Sequence, residues 1–185
     1  MSVTDSPGSK TNFNFIIPTS SHFLRTSFST MASSSDADAT KKEEFIARCH
    51  CGKVQARFRC NADRIYALDC NCSDCNLRKN IHTVVPFTDF TILENGEEGS
   101  AESYEDATTL YQWGTKKAVR RFCKTCGVLP WYIARSNPDG YAITLQCVDW
   151  TAGGTKTPPE IVTQKFDGIH WEESFAAFND PFAKK

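Results

Sequence analysis

The chain has 185 residues and a formal net charge of −1, from 21 lysines and arginines against 22 aspartates and glutamates. Its hydrophobic fraction of 40% is enough for a folded core, which excludes a wholly disordered chain. The near-neutral charge argues against general nucleic-acid binding, because such proteins need many unpaired cations to displace counterions. No apolar run approaches the ~18 residues of a membrane span. We therefore expect one ordinary domain with a tail, and no membrane association.

Residues 1–45 have the composition of a tail, since they are rich in serine and threonine and contain no cysteine. They show neither strand nor helix periodicity. Two interpretations are open, because residues 6–30 contain Arg25 but no acidic residue. The segment is either a disordered leader or a weakly transit-like organelle signal. We expect the leader, followed by a single domain over residues 46–180, in a protein of the cytoplasm or nucleus.

Strand patterns dominate from Phe45 onward and predict an all-β or β-dominated fold. Apolar and polar residues alternate over residues 54–60 and again over residues 141–147, which is typical of half-buried strands. Residues 109–113 and 118–122 flank a short polar loop and predict a hairpin.

Turns and short helices complete the predicted elements. Residues 136–140 predict a turn, in which Pro138 presets φ and Gly140 supplies a positive φ. Residues 95–103 predict a polar loop. Helical signal is confined to residues 73–79, with Ser73 as the N-cap, and to residues 171–178.

Nine cysteines carry most of the functional information. Because the start of the chain has no apolar run long enough for an export signal, we expect a reducing compartment, where close-spaced thiols indicate metal binding. Seven of them form three groups: the first pair (Cys49, Cys51), the trio (Cys70, Cys72, Cys75) and the last pair (Cys123, Cys126). For the two isolated cysteines, Cys60 and Cys147, we expect ordinary burial on strand faces.

The spacing predicts two metal sites of different kinds. A structural zinc takes four ligands, often as two pairs, and the first and last pairs make such a set. The trio would then leave an open fourth position, as in catalytic zinc sites. Spacing alone also permits the first pair to join two members of the trio, so the pairing is open at this stage.

A metal held by three thiolates favours thiol chemistry over hydrolysis. Electron donation from sulfur weakens zinc as a Lewis acid, whereas an incoming thiol would bind as a thiolate and stay nucleophilic. A zinc deaminase is excluded, since that class needs H-x-E before P-C-x-x-C. Here His170-Trp171-Glu172 follows the last pair, and Phe122 replaces the proline.

Other side chains are weaker candidates, and we expect no catalytic residue beyond the zinc ligands. Arg78 and Lys79 follow the trio and either hold a substrate carboxylate or form a solvated face. His50 and His82 could serve as zinc ligands or acid–base groups. We expect instead that His50, which lies between two ligands, points away from the metal, and that His82 is a packed or surface residue. We assign the tryptophans to the core or a cavity wall: Trp113, Trp131, Trp150 and Trp171.

The cysteine motifs, in this order, resemble the glutathione-dependent formaldehyde-activating enzyme family. The resemblance rests on residues 49–54, on the trio loop and on residues 122–127, and it runs from about residue 48 to residue 173. The sequence is most similar to the centromere protein V branch, through residues 135–140 and 147–149. Asn71 stands where the enzyme branch usually has a histidine.

The resemblance implies a tent-like, β-rich zinc fold with two Zn²⁺ per chain. It implies that the first and last pairs hold a structural zinc, and that the trio holds a second zinc where glutathione is a co-substrate. The implied activity is a carbon–sulfur lyase that forms or breaks the adduct of glutathione with formaldehyde or a similar small aldehyde. The expected partner is a small thiol or thiol adduct. The alternative is a non-enzymatic, zinc-stabilised protein-interaction module of the centromere protein V type.

Overall fold

The structure is a computed structural model that describes residues 41–151 and 156–178. Most of the predicted leader lies outside these residues, although the first strand starts at Lys42 and so includes its last residues. The strands are β1 (Lys42–Arg48), β2 (Gln55–Asn61), β3 (Arg64–Cys70), β4 (Ile81–Pro86), β5 (Phe90–Glu94), β6 (Glu97–Glu98), β7 (Thr108–Tyr111), β8 (Val119–Cys123), β9 (Trp131–Ile133), β10 (Gly140–Thr144), β11 (Val148–Asp149) and β12 (Glu160–Phe166). The helices are α1 (Ser73–Arg78), α2 (Ala101–Ala107) and α3 (Trp171–Ala177). None of these helices is long or apolar enough to cross a membrane.

The strands form two sheets, which confirms the predicted β-dominated class. The smaller sheet has the order β11-β1-β2-β5-β6, and the larger has the order β12-β3-β4-β10-β9-β8-β7. Neighbouring strands are antiparallel except β12, which runs parallel to β3 and places Phe166 beside Cys70. The parallel pairing matters for function, because the chain after β12 leaves the sheet at the trio.

The main core lies between the sheets. Phe45 and Phe58 of the smaller sheet pack in one cluster with Trp131 and Ile143 of the larger sheet, and none is more than 2% exposed. The second face of the larger sheet is covered too, since Tyr132 packs with neighbouring apolar residues there. Side chains on both faces of the larger sheet are therefore buried, as expected for a sheet that is covered on both sides.

Three sequence predictions about strands and turns are confirmed and two are wrong. The strand predicted over residues 54–60 corresponds to β2, and the hairpin β7–β8 and the turn before β10 form as predicted. The strand predicted over residues 141–147 ends at Thr144, because residues 145–147 form a 3₁₀ turn. Gly140 does not have a positive φ. It is needed instead for close packing, since a Cβ there would lie 2.5 Å from the Val85 carbonyl oxygen.

The helices show a similar mixture. The predicted helices at residues 73–79 and 171–178 correspond to α1 and α3. The N-cap of α1 is Cys72 and not Ser73, because the Cys72 sulfur accepts the Cys75 backbone N–H. The loop predicted over residues 95–103 contains the start of α2, which has no buried residue and hence no apolar period to reveal it.

Candidate metal centres and cavity

The first and last cysteine pairs come together and link the two sheets. Cys49 and Cys51 follow β1 of the smaller sheet, whereas Cys123 ends β8 of the larger sheet. The Sγ atoms of these three residues and Cys126 all lie within 4.8 Å of one another. The Cys51 and Cys123 sulfurs are 3.6 Å apart although 72 residues separate them in sequence. Of the pairings that the spacing left open, the structure forms this four-cysteine cluster.

Two similar turns present the four sulfurs. In the first, the Cys49 backbone N–H donates to the Val54 carbonyl at 2.9 Å, and in the second Cys123 donates to Val128 at 2.9 Å. Each turn contains a glycine with positive φ, +80° at residue 52 and +74° at residue 127. Glycine adopts this backbone without the steric penalty of a Cβ. The sequence therefore builds the same sulfur-presenting turn twice.

The electrostatics of the four-cysteine cluster favour a bound cation. Burial raises the pKa of the Cys49 thiol to about 12, although the Val54 amide opposes this. Burial acts in the same direction on Cys126, but amide hydrogen bonds from Cys51 and Val128 outweigh it and lower its pKa to about 6. Buried thiolates need a compensating charge. Four sulfur donors in one cluster could hold a metal ion, and this donor set suits zinc.

The trio lies where β3 ends and α1 begins. Cys70 is the last residue of β3, Cys72 caps α1, and Cys75 lies in its first turn. Their Sγ atoms are within 4.8 Å of one another. The Cys72 backbone N–H donates to the Cys70 sulfur and that of Cys75 donates to the Cys72 sulfur, each at 3.5 Å. Hydrogen bonds from the other two thiols lower the pKa of Cys72. The hydrogen bonds of Cys70 with Cys72 and Cys75 raise the pKa of Cys70.

The trio has no fourth protein donor of the usual kind in residues 41–151 and 156–178. Neither a histidine nor a carboxylate, nor another cysteine, joins it there. Cys60 lies on β2 and Cys147 on the 3₁₀ turn after β10, each partly buried. Burial raises the pKa of these two thiols to about 12 and about 11. Three soft donors with an open side could hold a metal ion that also binds a ligand.

The trio opens onto a cavity of about 470 Å³, which we call the trio cavity. One wall is the second face of the larger sheet, a second is the loop of the β7–β8 hairpin, and a third is α3 with the segment before it. The side chains that line the trio cavity include Leu68, His82, Trp113, Ala118, Arg120, Tyr132, Ala134, Arg135, Phe166, Ile169, Trp171, Glu172, Phe175 and Phe178. Trp113 and Trp171 are thus cavity walls, whereas Trp131 and Trp150 pack in the core, as predicted for the four tryptophans.

A buried hydrogen-bond chain connects the trio to the cavity wall. The Asn80 side-chain amide faces the Cys75 sulfur at 3.8 Å and donates to the Tyr132 hydroxyl at 3.4 Å. The Tyr132 hydroxyl lies 3.3 Å from Nδ1 of His82. Burial lowers the pKa of His82 to about 4, with smaller contributions from nearby arginines, so the imidazole is neutral at pH 7. His82 is a packed residue, one of the two outcomes that the sequence allowed.

The basic residues after the trio do not line the trio cavity. The Asp74 carboxylate binds Arg78, and it also binds Arg120 Nε at 2.7 Å. Lys79 ends α1 in the left-handed conformation, with φ of 52°. His50 is exposed, outside both sulfur clusters. Of the two roles that the sequence left open for Arg78, its exposed position and its ion pair with Asp74 agree with the solvated face.

The segment after β12 packs directly against the trio, and sequence reasoning missed it. We call residues 167–170 the strap. Asn71 donates to Asp167 at 2.9 Å and accepts the Ile169 backbone N–H at 3.2 Å. Gly168 lies so close that a Cβ would collide with the Cys70 sulfur and the Cys72 Cβ. The Asp167-Gly168 pair is a turn signal, but it does not reveal a contact with residues almost 100 positions away.

The fold and the two sulfur clusters define a β-dominated protein that could bind two metal ions, one enclosed and one accessible. A family model described as glutathione-dependent formaldehyde-activating enzyme matches residues 44–165, which is well over half of the chain. The protein belongs to this family, so the resemblance found in the sequence is confirmed at the family level. A solved structure of a Rhodobacter sphaeroides protein is 27% identical, with a TM-score of 0.46, and covers 63% of this chain and 99% of that chain.

Proposed function

We propose that the protein is a zinc-dependent carbon–sulfur lyase that forms or breaks glutathione adducts of formaldehyde or similar small aldehydes. The observation that supports this most is the trio, whose three sulfurs face a cavity without a fourth donor among the described residues. Membership of the family adds support, because its description names both glutathione and formaldehyde.

The two clusters have separate roles in this proposal. The four-cysteine cluster would hold a structural Zn²⁺ that clips the sheets together, and the trio would hold the second Zn²⁺. When bound there, the ion would supply a soft Lewis acid that takes a thiol as its thiolate. The trio fits such an ion because its donors are all sulfur and one side is open.

The surrounding residues prepare the reacting groups. In the forward direction the glutathione thiol loses its proton and its sulfur bonds to the carbonyl carbon. The π pair of the C=O bond moves to oxygen, and the oxygen takes a proton in place of the one that the thiol gave up. The reverse reaction breaks the C–S bond and returns that proton. Asn80 orients the Cys75 sulfur, while neutral His82 and Tyr132 place a hydrogen-bonding pair on the cavity wall.

The test is the rate of S-hydroxymethylglutathione exchange with glutathione and formaldehyde, measured by NMR and corrected for the uncatalysed reaction. We expect the purified protein to accelerate exchange, and Cys72→Ser to abolish the acceleration because it removes a trio donor. Cys60→Ser is the matched control and should keep full activity, since Cys60 lies outside both clusters. Exchange no faster than the uncatalysed rate, or unaffected by Cys72→Ser, would refute the proposed function.

A further inference from the structure

The rim of the trio cavity carries exposed aromatic side chains. Trp113 is 42% exposed and Phe175 is 38% exposed, and both line the cavity. Trp113 comes from the hairpin loop, whereas Phe175 comes from α3, where it stacks on Trp171 with ring centroids 4.5 Å apart. Two unrelated elements thus turn large apolar surfaces toward the same space. Apolar surface left exposed around one concavity is typical of a ligand site.

The inner wall is apolar as well. Leu68, Ala118, Ala134 and Phe166 line it from the larger sheet and its loops, and Phe178 lines it from the end of α3. The volume of about 470 Å³ falls in the range of roughly 300–1,000 Å³ that is usual for sites of drug-sized ligands. A one-carbon hydroxymethyl group would contact only a small part of this wall. The remaining apolar surface would stay hydrated and would contribute nothing to binding.

Each of the two arginines of the cavity wall already has a carboxylate partner. Arg120 binds the Asp74 carboxylate at 2.7 Å, and Arg135 binds Glu172 at 2.6 Å. Both guanidinium groups also lie over aromatic rings, with Arg135 only 3.6 Å from the centroid of Trp171. A guanidinium committed to a carboxylate offers less to a second anion. The cavity is therefore better matched to an apolar group than to the carboxylates of a tripeptide.

We propose that the trio cavity binds the carbon chain or ring of the aldehyde, so that the preferred substrates are thiol adducts of apolar aldehydes larger than formaldehyde. This inference rests on the proposed function and adds the substrate class. The step is unchanged: the thiol gives up its proton, its sulfur bonds to the carbonyl carbon, the C=O π pair moves to oxygen, and oxygen gains one proton. The carbon chain or ring of the aldehyde then packs against the aromatic wall, while the thiol sulfur lies at the trio.

The test compares hexanal and formaldehyde as partners of glutathione, with each rate corrected for the uncatalysed reaction. Because one methylene in an apolar pocket is worth about 10-fold or more, we expect kcat/KM for hexanal to exceed that for formaldehyde by at least about 10-fold. Trp113→Ala should lower the ratio of the hexanal value to the formaldehyde value by about 10-fold. Tyr111→Ala is the matched control, since this exposed aromatic residue precedes the same loop but lies outside the cavity.

A binding measurement separates this inference from catalysis. S-hexylglutathione should bind at least about 10-fold more tightly than S-methylglutathione, and Trp113→Ala should remove the difference. Equal binding of the two thioethers would overturn the inference whatever the activity. Acceleration of the formaldehyde reaction alone would overturn this inference and leave the proposed function standing. Acceleration of neither aldehyde reaction would overturn both.

Discussion

At the scale of single residues, Gly168 sets how closely the strap packs on the trio. Its Cα faces the Cys70 sulfur, and no larger residue fits without moving the sulfur or the strap. The neighbouring hydrogen bonds of Asn71 to Asp167 and Ile169 hold the strap in place. Displacement of a donor sulfur by even 1 Å is more than a metal site tolerates, because ligand distances vary by only about 0.2 Å.

We therefore predict that Gly168→Ala loses the metal of the trio and keeps the metal of the four-cysteine cluster. Zinc content measured by elemental mass spectrometry should fall from two ions per chain to one. Ile169→Ala is the control, because it shortens an exposed side chain of the same strap and leaves the contact with Cys70 intact. Two zinc ions per chain in Gly168→Ala would contradict the role given to this glycine.

At the scale of elements, the two clusters differ in what they connect. The four-cysteine cluster joins β1 of one sheet to β8 of the other, through sulfurs that are far apart in sequence. The trio lies within one stretch of six residues between β3 and α1. A structural zinc contributes an apparent ~10–16 kcal/mol to folding, which equals or exceeds the net stability of ~5–15 kcal/mol of an ordinary domain.

This difference predicts unequal effects of single cysteine substitutions on stability. Cys126→Ser should leave the chain unfolded at 25 °C, because the two sheets lose the metal site that links them. Cys72→Ser should reduce the free energy of unfolding by no more than about 3 kcal/mol, the usual range for a point mutation. Chemical denaturation followed by circular dichroism would compare the two variants. Equal destabilisation would favour the non-enzymatic interaction module, in which both metals are structural.

Elements also show which local features a sequence conceals. The N-cap of α1 was assigned to Ser73 because serine is a common cap, yet the sulfur of Cys72 takes that position. A pattern of residue types cannot reveal the position of this N-cap, because it depends on the residue at which β3 ends and the chain turns into α1. The sequence does not reveal helix α2 for another reason: only Tyr104 and Ala107 pack on the core, both are partly buried, and two such residues leave no clear apolar period.

At the scale of the whole molecule, the spacing of seven cysteines predicted two metal sites but left open which groups join, and the fold brings the first and last pairs together. Close-spaced pairs and trios are local features, and the turns around Gly52 and Gly127 follow from them. The wall of the trio cavity was not predictable in this way. Its aromatic side chains come from the hairpin loop and from α3, and only the parallel pairing of β12 with β3 brings α3 to the trio.

The proposed function depends on two zinc ions that are held unequally, one by four sulfurs and the other by three sulfurs with an open position. Zinc-edge X-ray absorption of the full chain tests this most directly. Without thiol we predict an average of about 3.5 sulfurs per zinc, and addition of glutathione should raise it to about 4. An average of 4 sulfurs before any thiol is added, unchanged by glutathione, would contradict the open site.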